Sequence, residues 1–334
     1  MKKIVLILGA GSIGNHMTNA CLKLNYQVFV SDISQIALKR MKKKIFPKRY
    51  GKWDNSIKLV EYSKVFLLEE NFDLIIIGTP PKTHLNLSKK ISECLRFKKI
   101  LVEKPLSTSL VDFDKFNILN KNNKVFCGYN HSVTKSFQFF FEKLKKNKNK
   151  ITHININWCE GWKNILNAHF WLKDEFESYL GSTKRGGGSL HEHSHGLHLS
   201  VVILEKIYGE NFYNSKGFTF KKYSKKKKVS YDYLSNINFQ GKKISLIYNT
   251  DLLSDPAQKS IEAYGDDTQI SWYNNFSKNS DVVIFKNKMQ YKKKTFFKNR
   301  SSDFINEIKH LESLKTKKGY KNSNLNLDLA LKTM

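Results

Sequence analysis

Residues 1–14, "MKKIVLILGAGSIG", join a short apolar run to a glycine motif, and this stretch decides the fold. The run has the length of one buried strand, and a G-x-G-x-x-G motif follows it directly. Two lysines before an apolar run also occur in signal peptides, but this run is too short and leads into no small-residue cleavage site. We therefore expect a first strand that leads into a turn and a helix, in a cytoplasmic protein.

The glycines of this motif each have a physical reason. Gly9 permits the tight turn, Gly11 lets the backbone approach a pyrophosphate, and Gly14 lets the helix pack closely on the strand. The helix would begin at Ser12 and Ile13, where backbone N–H groups and the positive end of the helix dipole favour phosphate. The motif predicts a dinucleotide-binding turn, with a glycine turn that binds nothing as the alternative.

Asp32 ends the next apolar run, at about the distance expected for an acid that binds ribose. Its carboxylate can accept hydrogen bonds from both ribose hydroxyls, and its charge would repel a 2′-phosphate. The sequence therefore favours NAD over NADP as the cofactor. The alternative is that Asp32 is an ordinary turn residue.

The pattern of polar and apolar residues changes near residue 130. Before it, short apolar runs alternate with segments of helical spacing, which is typical of strands buried on both faces of a parallel sheet. After it, polar and apolar residues alternate between turns, which predicts antiparallel strands. We expect an α/β protein with a doubly wound Rossmann domain over residues 1–130. An α+β domain for substrate binding and oligomerisation, with an open, mostly antiparallel sheet, would cover residues 131–334.

Composition excludes several classes of protein. The net charge is +29, but the lysines are spread along the whole chain and no nucleic-acid-binding motif is present. We expect no specific nucleic-acid partner, and a field that attracts anionic substrates or a solvated surface instead. No apolar run approaches the roughly 20 residues of a membrane helix. The four cysteines are far apart, which predicts free thiols in a reducing compartment rather than disulfides or a zinc site.

Three further motifs fall at the ends of predicted strands: "GTPPKTH" (78–84), "VEKPLS" (102–107) and "GYNH" (128–131). Open α/β sheets bind ligands at this edge. Together with "GAGSIG" and a downstream "GGG" before histidines, these motifs resemble the Gfo/Idh/MocA family of NAD(P)-dependent oxidoreductases. The resemblance runs from residue 1 to near the end, and it implies a Rossmann domain plus an open-sheet domain with the active site between them.

The resemblance also assigns roles to residues of these motifs. It implies that Thr79 and Pro80 line the nicotinamide side of the cofactor and that Glu103 contacts the nicotinamide ribose. His84 and Asn130, which belong to the same motifs, are likewise predicted to bind the cofactor.

Lys104 is predicted to reach the reacting hydroxyl, again by the resemblance. In relatives the bond before Pro105 is often cis, which would fix the aim of the lysine. The residues alone support this role, because an ammonium at the carboxyl end of a central strand would be partly desolvated and suited to acid/base chemistry. The alternative is a surface lysine before a turn.

The stretch "GGGSLHEHSHGLHLS" (186–200) holds four histidines. Ser189 and Glu192 match a capping box, which predicts a helix that begins there and runs to about Tyr208. On such a helix His193 points away from one face, and that face carries the other histidines, His191, His195 and His198.

Two chemistries are open for these histidines. His191 and His195, four residues apart, could share a metal ion, but His198 would lie about 10 Å along the helix axis and could not join the same site. We expect no metal. The family usually places an Asp and a His here as Asp-x-x-x-His, with the His as acid or base for the substrate hydroxyl.

This sequence departs from that form. Glu192 to His195 is one residue shorter, and His191 keeps the spacing but lacks the carboxylate. We predict His195 as the acid/base and Glu192 as its partner, with a helix cap as the alternative for Glu192. His191 is predicted to contact the substrate.

An aromatic-rich segment, residues 157–182, precedes the glycines. Trp162 and Trp171 could stack on a sugar ring and are predicted to bind the substrate. Burial in the core is at least as good an interpretation of both.

The sequence thus predicts an NAD-dependent dehydrogenase or reductase acting on a secondary hydroxyl or ketone of a sugar, nucleotide-sugar or cyclitol. The basic surface would suit a phosphorylated substrate. Two alternatives remain: a non-catalytic sugar or cofactor sensor of the same fold, and a metal-dependent hydrolase that uses the histidines. The open sheet face needs cover, which predicts a homodimer or homotetramer.

Overall fold

The computed structural model describes residues 2–108, 115–116, 124–211, 216–226 and 229–334. Residues 110–123, whose apolar residues have helical spacing, fall mostly outside this part of the chain. Within it the strands are β1 (Ile4–Leu8), β2 (Gln27–Asp32), β3 (Lys58–Glu61), β4 (Asn71–Phe72), β5 (Leu74–Ile77), β6 (Arg96–Phe97), β7 (Ile100–Val102), β8 (Val125–Cys127), β9 (His153–Cys159), β10 (Lys216–Lys226), β11 (Val229–Gln240), β12 (Ser245–Asp251), β13 (Gln258–Tyr264), β14 (Thr268–Ser277), β15 (Ser280–Asn287) and β16 (Tyr291–Phe297).

The α-helices of the same described residues are α1 (Ser12–Lys23), α2 (Gln35–Arg40), α3 (Phe46–Tyr50), α4 (Tyr62–Val65), α5 (His84–Cys94), α6 (Lys135–Lys146), α7 (Trp162–Ala168), α8 (Ser189–Glu192), α9 (Ser194–Ile203), α10 (Ser302–Ser313), α11 (Lys317–Asn322) and α12 (Leu327–Thr333). A π-helical turn, Met41–Ile45, joins α2 to α3, and another, Leu204–Tyr208, extends α9. None of the described helices is both long enough and apolar enough to cross a bilayer.

The chain divides into two compact units. The first contains residues 1–130 and 301–332, with Met334, and the second contains residues 131–300 with Thr333. The N-terminal segment of the first unit ends at Asn130, the residue at which the sequence predicts the break. The C-terminal segment differs from the prediction, because residues 301–332 return to the first unit instead of extending the second.

Six described strands of the first unit form a parallel sheet in the order β3-β2-β1-β5-β7-β8, and β4 pairs with β6 in a separate two-stranded sheet. The central strand β1 is almost fully buried on both faces, which explains its unbroken run of Ile, Val and Leu. The chain first builds outward from β1 to β3 and then outward on the other side from β5 to β8. The order reverses between β1 and β5, and doubly wound sheets bind ligands at such a switch point.

The C-terminal helices complete the first unit. Phe304 on α10 stacks on His16 of α1, with ring centroids 4.7 Å apart. Glu312, also on α10, accepts hydrogen bonds from Tyr26 Oη at 2.7 Å and Lys3 Nζ at 2.5 Å. The backbone N–H of Cys127 on β8 donates to the carbonyl of Leu325 at 2.9 Å. These contacts are the reason that residues 301–332 belong with the Rossmann sheet.

The described strands of the second unit form one sheet in the order β10-β11-β12-β9-β13-β14-β15-β16. Its pairs are antiparallel except β9 with β12, which run parallel. Along β9 alternate side chains are buried, with Ile154, Ile156 and Trp158 on the covered face. The opposite face carries half-buried polar residues such as Asn155, Asn157 and Asn249. The predicted fold class, a Rossmann domain plus an open-sheet α+β domain, is confirmed.

All four cysteines are free thiols, as the sequence predicts; three are buried and Cys94 is exposed.

Candidate active site

The glycine loop that follows β1 is packed too tightly for side chains. Gly9 has φ +107°, and a Cβ there would lie 2.6 Å from the carbonyl oxygen of Gly78. A Cβ on Gly14 would lie 1.9 Å from the carbonyl oxygen of Gly9, so α1 rests directly on the turn. Gly11 differs, because nothing in the described chain lies within 4 Å of a Cβ placed there. The loop therefore leaves open space at the position where the motif is expected to admit a pyrophosphate.

The first turn of α1 faces this space with positive charge nearby. Gly11 is the N-cap and provides no side-chain cap, and α1 begins at Ser12 and continues through Ile13. The guanidinium of Arg49 donates to the carbonyl oxygen and to Oγ of Ser12, both at 3.0 Å. This end of the helix is suited to an anion. Sequence reasoning missed Arg49, which lies in a basic surface segment like many others in this chain.

Asp32 is half-buried at the end of β2, where its carboxylate is held by two backbone amides. Oδ2 accepts from Ala10 N and Oδ1 accepts from Ser34 N, each at 2.8 Å. The carboxylate is thereby turned toward the glycine loop, and each oxygen keeps a lone pair for a further hydrogen bond. This geometry fits the diol of a ribose, and together with the open Gly11 position it fits a dinucleotide.

The loop after β5 contains Thr79 and Pro80, both of them accessible. The side chain of His84 lies beneath this loop and is fully buried. Its Nε2 lies 2.8 Å from the Thr79 carbonyl oxygen, and its Nδ1 lies 3.2 Å from the Leu106 carbonyl oxygen. Burial lowers the pKa of His84, and the carbonyl oxygens of Thr79 and Leu106 partly offset this shift. His84 thus joins the two loops that contain Thr79 and Leu106, and its predicted role in cofactor binding stays a prediction.

Glu103 is directed into the fold. It is 5 % exposed, and a Cβ on Gly128 would lie 2.8 Å from its carboxyl group. Burial raises the pKa of Glu103, partly offset by the charge and backbone N–H of Lys104. Asn130 is also buried, whereas Lys104 is half-buried, after β7 and before a cis peptide bond to Pro105. The Glu103 carboxyl group thus lies beside Gly128, and its contact with a nicotinamide ribose stays a prediction.

In the second unit the triple glycine packs against β11. Gly188 has φ +89°, and a Cβ there would lie 2.1 Å from Oδ1 of Asp232. Asp232 is 2 % exposed and accepts from Leu190 N at 2.9 Å and from three hydroxyls. Those hydroxyls belong to Ser189 at 2.6 Å and to Thr183 and Ser235, each at 3.1 Å. Because Gly188 has no Cβ, the Asp232 carboxylate can reach the start of α8.

The predicted capping box is therefore wrong. The N-cap of α8 is Gly188, and the side chain of Ser189 donates to Asp232 instead of accepting from the backbone of Glu192. Glu192 N donates to the Gly188 carbonyl oxygen at 2.9 Å, and the Glu192 side chain is half-buried. A carboxylate more than forty residues away in sequence takes the role of the cap, and no local pattern could reveal it.

The predicted single helix of histidines is broken at His193, between α8 and α9. His191 Nδ1 lies 3.0 Å from the Gly187 carbonyl oxygen, and the buried His193 reaches the Glu160 carbonyl oxygen at 3.2 Å. His198 is fully buried, with Nδ1 3.0 Å from Oγ1 of Thr333. His195 is half-buried and packs against other rings. Of the three histidines predicted to share one face, His198 is buried in a structural contact. His191 and His195 remain partly accessible.

His195 has an aromatic neighbourhood that sequence reasoning missed. The His131 ring lies 4.6 Å from it at an interplanar angle of 87°, and the Trp158 ring lies 6.2 Å from it. His131 belongs to the "GYNH" motif, of which only Asn130 was predicted to act. The motif was therefore a signal that this histidine could also belong to the site.

The tryptophans predicted to bind substrate have structural contacts. Trp162 donates its indole N–H to Tyr231 Oη at 3.1 Å and packs against a core cluster that includes Ile165 and Leu180. Trp171 is half-buried, with its ring 5.3 Å from those of His169 and Phe170. The core interpretation, which the sequence left open, describes Trp162 better than stacking on a sugar.

Metal ligation was the other chemistry considered for the histidines. Among the described residues, no group of three or more His, Cys, Asp or Glu side chains could hold a metal ion.

The first unit has the fold and the loop geometry of a dinucleotide-binding Rossmann domain. Residues 3–131 match the model of the Gfo/Idh/MocA family, which is described as an oxidoreductase family with an NAD-binding Rossmann fold. This match covers 129 of the 334 residues of the chain. No curated protein matches the chain.

Solved structures resemble the chain over its whole length. An inositol dehydrogenase homolog from Azotobacter vinelandii, complexed with NAD+, is 12% identical with a TM-score of 0.74, and the match covers 100% of this chain and 92% of that one. KijD10, a 3-ketoreductase from Actinomadura kijaniata in complex with NADP and TDP-benzene, is 11% identical with a TM-score of 0.71, covering 100% and 95%. The WlbA dehydrogenase from Bordetella pertussis, in complex with NADH and UDP-GlcNAcA, is 12% identical with a TM-score of 0.68, covering 99% and 92%. At these identities the likeness concerns the fold.

Proposed function

We propose that this protein is a nicotinamide-dependent dehydrogenase or reductase of a secondary hydroxyl or ketone on a sugar, nucleotide-sugar or cyclitol. The observation that carries the proposal is the loop of residues 9–14, which has open space at Gly11 and the Asp32 carboxylate held beside Ala10. The family match of residues 3–131 supports the same cofactor class. The structural neighbours with sugar-nucleotide or inositol-related names support the substrate class.

NAD is the proposed cofactor. The carboxylate of Asp32 has two hydrogen-bond acceptors for a ribose diol, and its charge opposes a 2′-phosphate. Structural neighbours with NAD+ and with NADP are both known, so the preference rests on Asp32. Gly9, Gly11, Ser12, Ile13 and Gly14 would hold the phosphates, and when bound the nicotinamide would accept or supply the hydride.

The proton of the substrate hydroxyl is assigned to residues of this chain. As the carbinol carbon loses its hydride, His195 takes the hydroxyl proton and Lys104 assists by donating a hydrogen bond to the same oxygen. In the reverse direction His195 returns that proton. Glu192, half-buried on the turn before His195, is the proposed partner that orients it. His191, partly accessible, is a proposed substrate contact.

Two broader proposals accompany this one. The net charge of +29 would draw a phosphorylated or nucleotide-linked substrate toward the protein. The open face of the second sheet would be covered in a homodimer or homotetramer. Four free thiols are consistent with a reducing compartment, and we propose the cytoplasm.

The test is turnover on a panel of sugars, nucleotide-sugars and cyclitols with NAD+ or NADH, followed by the absorbance of the reduced cofactor. On the substrate so identified, Lys104→Ala is expected to lower kcat at least about a hundredfold because it removes a charged hydrogen-bond donor to the reacting oxygen. Lys82→Ala is the control, since Lys82 is an exposed lysine in the neighbouring motif. Full turnover by Lys104→Ala would contradict the proposed role of Lys104 in the reaction. Cofactor binding without turnover on any substrate would favour the alternative of a non-catalytic sensor.

A further inference from the structure

His131 and His195 form a pair of imidazoles against one indole. The His131 ring lies 4.6 Å from that of His195, nearly perpendicular to it, and 5.0 Å from that of Trp158. Trp158 is 1 % exposed, whereas both histidines are half-buried. The buried Trp158 side chain therefore forms one side of this cluster, and the two imidazoles beside it are partly accessible.

The side chain of Asn274 controls one nitrogen of His131. Asn274 Nδ2 lies 3.4 Å from His131 Nδ1 and 3.3 Å from Oδ1 of Asp281. An ionised carboxylate can only accept hydrogen bonds, so the amide nitrogen, not the amide oxygen, must face Asp281. The same amide group then presents an N–H to His131, and His131 Nδ1 must be the acceptor. The orientation of the amide is thus fixed by chemistry rather than by choice between two similar atoms.

Asp281 is held in place by a buried ion pair. It is 2 % exposed and accepts from Lys298 Nζ at 2.8 Å, with the lysine side chain only 10 % exposed. It also accepts from Ser136 Oγ at 2.6 Å and from the backbone N–H of Asn275 at 2.9 Å. Removing a partner from such a pair is costly, so the carboxylate is a rigid, charged anchor for Asn274.

We propose that His131 is a neutral imidazole protonated at Nε2, which donates a hydrogen bond to the substrate oxygen beside His195, and that Asn274 is the positioning residue that fixes this tautomer. A proton on Nδ1 would set one N–H against another, so Asn274 disfavours both the other tautomer and the imidazolium. His195, which exchanges a proton with the substrate, would disfavour a second positive charge 4.6 Å away for the same reason. The charges of Asp281 and Lys298 behind Asn274 largely cancel.

The two histidines therefore have separate tasks. His195 changes its protonation during the reaction, and His131 remains a donor that holds the oxygen. The substrate role of His131 rests on the proposed function, whereas the tautomer of His131 depends only on Asn274 and its anchor. The tautomer can accordingly be tested without a substrate.

The first experiment is long-range proton–nitrogen NMR correlation of the full chain with nitrogen-15-labelled histidine, with His131→Gln identifying the His131 signals. The wild-type ring is expected to show Nε2 protonated and Nδ1 bare at neutral pH. Asn274→Leu is expected to give a mixture of tautomers, whereas Asn238→Leu, which alters a half-buried asparagine of the same sheet, leaves the pattern unchanged. A wild-type His131 that carries its proton on Nδ1, or on both nitrogens, overturns the proposal even if no variant folds.

The second experiment measures kcat and KM against pH on the substrate identified by the panel. Asn274→Leu is expected to lower kcat/KM about tenfold, the usual scale for one hydrogen bond to a reacting oxygen, and to add an ionisation on the acid limb. An unchanged pH profile with mixed tautomers would overturn the substrate role of His131. If the wild-type protein turns over nothing, the proposed function fails, and the NMR pattern alone then decides whether Asn274 fixes the ring.

Discussion

At the scale of single residues, the proposed preference for NAD depends on Asp32. Its two carboxylate oxygens already accept from Ala10 N and Ser34 N, so the charge is held in one place beside the glycine loop. A fixed charge discriminates better than a mobile one, because a 2′-phosphate cannot displace it without breaking these hydrogen bonds. The ribose-binding role of Asp32 could be proposed from its position at the end of β2. The backbone amides that hold its carboxylate could be identified only from the structure.

Asp32→Asn is expected to move the ratio of NAD to NADP affinity at least about tenfold toward NADP, which corresponds to about 1.4 kcal/mol. The amide keeps an acceptor but loses the negative charge that repels a phosphate. Titration of both cofactors by calorimetry measures the ratio, and Asp54→Asn, at an exposed aspartate of the same unit, is the control. A wild-type preference for NADP would contradict this assignment.

Glu307 is a second residue whose environment has a measurable consequence. It lies on α10 with no exposed surface, and neither carboxyl oxygen has a hydrogen-bond partner among the described residues. Burial raises the pKa of Glu307, and the nearby Glu103 and Asp303 raise it further. Glu312 on the same helix is the opposite case: burial works against it, but hydrogen bonds from Lys3 and Tyr26 hold its pKa below the usual value.

Glu307→Gln is expected to stabilise the protein increasingly as the pH rises above about 4.5, the ordinary pKa of the carboxyl group. Above that pH the unfolded chain loses the proton while the folded chain keeps it, so folding becomes less favourable with rising pH until the folded pKa is passed. The slope is at most about 1.4 kcal/mol per pH unit for one group. Denaturant unfolding at pH 5 and pH 7.5 measures the difference.

Glu312→Gln is the matched control because the sign reverses. The contribution of Glu312 is present above its unfolded pKa and lost as the pH falls, so this variant should be less stable than the wild type at pH 7.5, with a smaller deficit in acid. Equal pH dependence of the two variants would show that Glu307 is not held protonated in the folded state.

At the scale of elements, the turn from the triple glycine into α8 shows why local patterns misled the sequence analysis. Ser189 and Glu192 have the spacing of a capping box, and a helix does begin at Ser189. The cap itself is Asp232 on β11, which binds Leu190 N and the Ser189 hydroxyl. The helix start could be predicted because its residues are local, whereas its partner could not, since the contact joins residues 42 and 43 positions apart.

Asp232→Ala is expected to destabilise the second unit by about 3 kcal/mol or more, since it leaves the Leu190 N–H and several hydroxyls buried without their acceptor. Asp255→Ala is the control: Asp255 is exposed and pairs with the exposed Lys163, so its loss should leave the stability nearly unchanged. Denaturant unfolding measures both, and hydrogen exchange of residues 189–193 should accelerate in the first variant. Equal stability of the two variants would refute the capping role.

At the scale of the whole molecule, sequence periodicity predicted both sheets but not where the C-terminal segment packs. Alternation of apolar runs marked the change of pattern at residue 130, and the buried run of β1 marked a parallel sheet. A helical pattern over residues 302–313 shows that one face is apolar, but not which surface covers it. The parallel pairing of β9 with β12 within the second sheet was hidden for the same reason, because strand patterns do not name their neighbours.

A chain that ends at residue 300 is therefore expected to lose mainly the first unit, since Thr333 is the one residue of the second unit that it lacks. It lacks Ile308 and Leu311, both 0–1 % exposed on α10, the Phe304 ring stacked on His16, and the Leu325 carbonyl oxygen bound by β8. Burial of two such aliphatic side chains alone contributes roughly 3–6 kcal/mol, which is comparable to the whole stability of many domains. The shortened chain should bind no NAD and expose residues 2–130 to proteolysis, while residues 131–300 stay protected. Coexpression of residues 301–334 as a separate peptide should restore protection, and a shortened chain that binds NAD with wild-type affinity would contradict the assignment of these helices to the Rossmann unit.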